Sequence, residues 1–137
     1  MIVSIATRAT PDLLILWNQA LGEAIKLRGG RELIVAIRQG RSDDVLGADL
    51  IDGHCVWLAR DNDDTLLGFS LCRDNVIDML YVDRSWRRRG VARSMLNAMV
   101  QSANPPVDGL ALPGDRATKS LYESFGWKAR LLTMRGE

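Results

Sequence analysis

The sequence predicts a mixed α/β domain, and three observations carry that prediction. Residues 76 to 99, VIDMLYVDRSWRRRGVARSMLNAM, read as a buried strand, a basic loop and an amphipathic helix. Two further apolar runs, His54 to Ala59 and Leu66 to Cys72, come just before it with turn-forming residues between them. A last short run, Asp108 to Leu112, follows the helix and is therefore expected parallel to Val76–Val82. Three antiparallel strands followed by strand, helix, strand, helix define a mixed, mostly antiparallel sheet flanked by helices.

Length and composition set the frame. The 137 residues suffice for one domain with a core and are too few for two, so residues 1–137 are read as a single domain. Hydrophobic residues make up 47% and charged residues 26%, the balance of a soluble globular protein. The formal net charge of +1 does not favour a polyanionic partner for the whole surface, so nucleic acid is disfavoured, although arginine is locally concentrated. The N-terminus lacks the apolar core of a signal peptide, and the early apolar run Leu13–Trp17 is too short to span a membrane. A cytoplasmic protein with no membrane partner is the expectation. Two cysteines and one histidine cannot supply the Cys/His ligands of a zinc site, so no metal is expected. Cys55 and Cys72 fall on neighbouring strands and are read as reduced, buried thiols.

The organising stretch carries the chemistry. Between strand and helix stand Arg87-Arg88-Arg89-Gly90-Val91-Ala92. A glycine there lets the backbone approach a ligand. The first helical turn presents unpaired N–H groups and a partial positive charge, which suits an anion. Arg84, Arg87, Arg88 and Arg89 precede the helix and Arg93 lies in its first turn, as befits a diphosphate site. An arginine run can also be a solvated face or a nucleic-acid contact.

Arg-x-x-Gly-x-Ala after LYV resembles the acyl-CoA pyrophosphate loop of the GNAT (N-acyltransferase) superfamily. Leu121-Tyr122-Glu123-Ser124-Phe125-Gly126-Trp127 is similar to that family's LYE-x-x-GF segment. The resemblance covers about Thr65 to Met134; the N-terminal half matches only in its order of elements. It implies a GNAT-like fold in which the fifth strand splays from the fourth, with acetyl-CoA as acyl donor and an amine as acceptor. Pantetheine would lie against the main chain of Leu80, Tyr81 and Val82, and the Leu80 N–H would hold the thioester oxygen. The diphosphate would take N–H groups from Arg88, Arg89, Gly90, Val91, Ala92 and Arg93, with Arg87 and Ser94 beside them. Lys119 would reach the adenosine-end phosphate. Asp115 stands where many relatives have an asparagine facing pantetheine. Tyr122 matches the general acid that protonates the departing thiolate, a role suited to a neutral phenol.

Asp78 is a carboxylate in an otherwise apolar strand. It is a candidate base; equally, it could hold the acceptor ammonium while water relays the proton, or pair with an arginine. Some relatives carry their carboxylate two residues earlier, where this chain has Val76. In the family the first two helices wall the acceptor site, which makes Trp17, Asn18 and Glu23 candidate substrate contacts, with core packing the stronger alternative for Trp17.

The remaining elements follow in order. Ile2 to Ala6 is expected as an edge strand. Thr10-Pro11-Asp12 starts a helix, with Thr10 as N-cap and Pro11 at its first position, and Gly29-Gly30 ends it. Its inner stripe is read as Leu13, Trp17, Ala20 and Ala24. Periodicity does not separate helix from strand over Arg31–Gln39; the resemblance favours a helix. Arg41 to Ile51 reads as a short helix or an irregular connection. Asp61–Asp64 is a hairpin loop that lacks the glycine and distal glutamate of a calcium loop. Asn104-Pro105-Pro106 stops the long helix, Arg116–Phe125 forms another, and Ala129–Met134 is expected as a final strand.

The function this implies is transfer of an acetyl group to a primary amine by direct attack in a ternary complex. The alternative is an acyl-CoA-binding regulatory module with weak or lost turnover. The acceptor, small molecule or peptide, the acyl length and homodimerisation are left open by the sequence.

Overall fold

A computed structural model describes residues 1–104 and 106–136. The elements are β1 (Ile2–Ile5), α1 (Pro11–Ala24), α2 (Gly30–Arg38), α3 (Asp43–Asp52), β2 (Val56–Arg60), β3 (Leu66–Arg73) and β4 (Val76–Val82), then α4 (Val91–Ser102), β5 (Asp108–Gly109) and α5 (Arg116–Ser124). The five strands form one sheet in the order β1-β2-β3-β4-β5. The first three pairings are antiparallel and β4–β5 is parallel.

Local chemistry places the helices. Pro11 opens α1 after an extended Thr10. Ser42 caps α3 by accepting the Val45 N–H. α2 settles the ambiguity over residues 31–39 as a helix, closed by Gln39 in the left-handed conformation. The stretch from Arg41 to Ile51 likewise resolves as a helix, α3, which begins at Asp43.

The sheet separates two apolar layers. On one face, Leu13, Leu16 and Ala20 of α1, Ile37 of α2 and Leu46 and Leu50 of α3 pack on Val56, Leu58, Phe69, Leu71 and Met79. On the other, Val91, Met95, Leu96 and Met99 of α4 and Tyr122 of α5 cover Ala59, Leu67, Ile77 and Val82. The helical spacing of the four α4 residues is what fixes that helix, since each fully buried side chain contributes about 1.5–3 kcal/mol. Gly68 lets α4 sit down on β3: a Cβ there would lie 2.7 Å from the Tyr81 carbonyl oxygen and 3.0 Å from Met95 Cε.

Several expectations need correction. Leu16, not Trp17, takes the buried place on α1; Trp17 is half-buried. The expected strand over Asp108–Leu112 shrinks to Asp108–Gly109. Ala129–Met134 forms no strand, and Leu131 is 88% exposed. A strand needs a neighbour's edge, and two residues of β5 offer almost none. Pro105 of the expected helix stop lies outside the described residues.

Gly68→Ala should destabilise the fold by about 1–3 kcal/mol, because backbone as well as a side chain blocks the added methyl. Gly47→Ala, in α3 with nothing within 4 Å of the new carbon, should instead gain about 0.5–1 kcal/mol. Denaturant unfolding of the two variants measures both signs.

Candidate active site

The site begins where β4 and β5 part. They pair only at Val76↔Asp108 and Ile77↔Gly109, and the last bond runs from the Leu110 N–H to the Ile77 carbonyl at 3.0 Å. Between Ile77, opposite Cys72, and Met79, opposite Leu71, the register skips Asp78. Asp78 is thus the extra residue of a bulge, which reverses the facing of the main chain beyond it. The Asp83 N–H bonds the Leu67 carbonyl at 2.8 Å, so residues 79, 81 and 83 face β3. Leu80 and Val82 therefore turn their main-chain groups to the side from which β5 has departed. Two of the residues expected from the sequence are thus placed on one open edge.

The loop at the end of β4 is shaped by its own side chains. Asp83 accepts the Ser85 N–H at 2.9 Å and starts a short 3-10 turn over Arg84–Trp86. Arg88 and Gly90 both adopt left-handed backbone, with φ of 63° and 79°. Turns that mix such residues gather backbone N–H groups into anion-binding concavities. A Cβ at Gly90 would meet nothing within 4 Å, so space lies open in front of it. The first amide bonded within α4 is that of Ser94, to the Gly90 carbonyl at 3.0 Å. The Val91, Ala92 and Arg93 N–H groups precede it at the helix mouth.

The arginines of this region differ in their surroundings. Arg87 donates from Nε to the Val82 carbonyl at 3.1 Å and from Nη2 to Glu23 of α1 at 2.9 Å, and lies over the Tyr81 ring, 5.3 Å from its centroid. Arg84 pairs with Glu23 at 3.2 Å. Arg89 lies over Trp86, 5.0 Å from the ring centroid. Arg93 lies over Phe125 and donates to Ser124 Oγ at 2.8 Å. Arg88 is exposed.

Tyr122 closes the far side of the gap. It is 6% exposed, stacks on Trp127 with centroids 5.1 Å apart, and reaches the Leu110 carbonyl with its hydroxyl at 3.5 Å. Its ring lies across β5: a Cβ on Gly109 would sit 2.4 Å from Tyr122 Cζ. Burial above all, then the nearby Asp115 carboxylate and Cys72, pushes its phenol well above the ordinary value. The group is a neutral donor throughout the physiological range.

The other sequence candidates scatter more widely. Asp78 is 8% exposed, and its Oδ2 accepts from Arg73 Nε at 3.1 Å. Asp115 caps α5 instead of standing free: its two oxygens accept the Thr118 N–H at 3.1 Å and the Thr118 hydroxyl at 2.7 Å. Lys119 is exposed one turn before Tyr122. Trp17 packs edge-on against Phe69 and reaches Asp43 Oδ1 at 3.3 Å, beside an apolar cavity of about 50 Å3. Asn18 is exposed. Cys72 donates its N–H to the Cys55 carbonyl at 2.8 Å, and both cysteines are free. Burial raises both thiols, which makes them poor nucleophiles. Among the described residues no group of three or more His, Cys, Asp or Glu could hold a metal, and no helix is long and apolar enough to cross a membrane.

Sequence reasoning missed three features: the Glu23–Tyr81 contact, Gln19 beside it, and Gly109 as the platform for Tyr122; it allowed Asp78 an arginine partner without naming Arg73. Gln19 and Glu23 at i, i+4 on α1 were a usable sign of a shared polar face. The rest depends on tertiary placement.

An acetyltransferase (GNAT) domain model matches residues 52–129. That is more than half of the chain, and the protein belongs to the GNAT acetyltransferase family. A mutant of the BH1408 protein from Bacillus halodurans superposes with a TM-score of 0.79 at 17% identity, covering 100% of this chain and 99% of that one. The ribosomal-protein-alanine N-acetyltransferase of Brucella melitensis biovar Abortus 2308 gives 0.59 at 18%, covering 98% and 100%. AAC(6')-Iy in complex with the bisubstrate analog CoA-S-monomethyl-acetylneamine gives 0.53 at 16%, covering 87% and 92%. At such identities the likeness shows the fold. No curated protein sequence matches significantly.

Gly109→Ala should push the Tyr122 ring off β5. The expected result is a stability loss of about 1–3 kcal/mol together with a changed environment for Trp127, read by unfolding and tryptophan fluorescence.

Proposed function

We propose that the protein is an acetyl-CoA-dependent N-acetyltransferase that acetylates a primary amine by direct attack in a ternary complex in the cytoplasm. The observation that carries this is the coincidence of two features at the end of β4. The strand's edge has no β5 partner at Leu80 and Val82, and a loop suited to an anion follows at once and leads into the α4 N-terminus at Val91. An acyl chain with amide groups suits the edge, and a diphosphate suits the loop.

In this reading pantetheine bonds the Leu80 and Val82 main chain with Tyr81 between them. The diphosphate takes N–H groups from Arg88, Arg89, Gly90, Val91, Ala92 and Arg93, with Ser94 at the edge of that cradle. Lys119 lies on the side of the adenosine phosphate, and Asp115 serves the site by fixing the start of α5 below Tyr122. The acceptor nitrogen attacks the thioester carbon, and the Leu80 N–H stabilises the oxygen as it gains charge. As the C–S bond breaks, Tyr122 gives its proton to the sulfur. Asp78, tied to Arg73 through one oxygen, has the second task of binding the acceptor ammonium or passing its proton to water. The α1 residues Trp17 and Asn18 belong to the acceptor wall in the same reading. No acyl-carrying cysteine is invoked, since both thiols are raised by burial.

The test is an acceptor screen with release of free CoA as readout. Acetyl-CoA should raise the thermal unfolding midpoint, because it binds only the folded state. Gly90→Asp should abolish that shift, whereas Gly90→Asn, which tolerates left-handed backbone and carries no charge, should retain much of it. Equal binding to wild type and Gly90→Asp would move the site elsewhere.

Tyr122→Phe should lower the maximal rate by about one to three powers of ten with acetyl-CoA affinity nearly unchanged. Its stability should change by under about 1 kcal/mol, since the lost hydroxyl contact is long. Because the phenol is raised, wild type should show no loss of rate from its ionisation up to pH 9. Asp78→Asn should shift the optimum to higher pH if the carboxylate takes the proton. It should raise only the acceptor Michaelis constant if it holds the ammonium. Wild-type rates in both variants would favour a CoA-binding module without turnover.

A further inference from the structure

Glu23 stands apart among the charged groups of α1. It accepts two hydrogen bonds from a different part of the chain and makes one ion pair with it. One oxygen accepts from Arg87 Nη2 at 2.9 Å; the other accepts from the Tyr81 hydroxyl and pairs with Arg84 Nε at 3.2 Å. The same hydroxyl contacts the Gln19 amide at 2.8 Å, one turn back on α1. Burial of the Glu23 carboxyl raises its pKa, but the hydrogen bonds from Tyr81 and Arg87 and the charges of both arginines outweigh this and leave it lowered. It is an anion at neutral pH.

The beneficiary is Arg87. Its guanidinium is fixed at three points: the Val82 carbonyl, Glu23 and the face of Tyr81. Only two of its five N–H groups are spent on these bonds. A guanidinium held in place binds an oxyanion without the rotamer entropy that a free one loses. One carboxylate against Arg84 and Arg87 also leaves a net positive charge at the loop.

We propose that Glu23 is a positioning residue for donor binding: from α1 it holds Arg87 in the orientation that receives the diphosphate. This rests on the reading of the β4–α4 loop as the CoA diphosphate site. It reassigns Glu23 from a contact of the acceptor to a support of the donor loop, and it makes the helix beside the acceptor wall part of the donor site's framework.

The test compares CoA with pantetheine, which lacks the diphosphate, by calorimetry on wild type, Glu23→Gln, Arg87→Gln and the double variant. CoA should bind Glu23→Gln about tenfold more weakly, a change of about 1.4 kcal/mol. Pantetheine affinity should not change, which also reports an intact fold. In the Arg87→Gln background the Glu23 substitution should add nothing, because Glu23 acts through that arginine. Tyr81→Phe, which keeps the carboxylate and the ring under Arg87 and removes only the hydroxyl that holds Glu23, should give a smaller loss of the same kind. Equal weakening of both ligands, additive effects in the double variant, or tighter CoA binding by Glu23→Gln would each overturn the proposal. A wild type that binds CoA no better than pantetheine would instead overturn the reading of the loop.

Discussion

The parting of β4 from β5 is the constraint on which the rest of the site depends. A buried main chain must find partners for its N–H and C=O groups. β4 satisfies one edge through β3 along its whole length, but satisfies the other through β5 only at Val76 and Ile77. The Asp78 bulge then decides which groups are left over. Without the extra residue, Leu80 and Val82 would face β3 and Tyr81 would face the gap. With it, Tyr81 turns its side chain to α1, where its ring packs on Phe69 and its hydroxyl meets Glu23. One inserted residue therefore sets both the open edge and the tie between sheet and helix.

The same constraint explains how the C-terminal elements are built. β5 ends on Gly109, whose missing side chain leaves the space that the Tyr122 ring fills. Asp115, by capping α5, fixes where that helix starts and so where Tyr122 arrives about two turns later. Gly109, Asp115 and Tyr122 form a chain of placement in which the first supplies room, the second an origin and the third the hydroxyl.

What was legible in the sequence followed short-range rules. Pro11 after Thr10 fixed the start of α1, and the spacing of Val91, Met95 and Met99 gave α4 its inner face. The arginine-glycine loop was read correctly in its place between strand and helix because strand ends, glycine and helix starts are local signals. The contact of Tyr81 with Glu23 spans 58 positions, and nothing local to either residue announces it. Ala129–Met134 failed for a related reason: its apolar residues satisfy strand propensity, but pairing depends on an edge that β5 is too short to provide. Asp115 is a different case. Its capping role has a local signature, an acidic residue three positions before Thr118 at a helix start, and the family resemblance drew attention to a ligand role instead.

Five arginines within ten residues would repel one another if all faced the same solvent, and the structure distributes them by attachment. Arg84 and Arg87 share one carboxylate, Arg89 rests on Trp86, and Arg93 is drawn to Ser124 and Phe125 of α5. Each attachment runs to a different element: α1, the loop itself and α5. The loop's positive charge is thereby the point at which both helical layers are tied to the end of β4. Exposed ion pairs add little to stability on their own. Their value here lies in geometry, because they fix where the guanidinium groups of Arg84, Arg87, Arg89 and Arg93 stand. A guanidinium held in this way would lose little entropy on receiving the proposed diphosphate, and the charge that Glu23 leaves uncompensated would favour that anion.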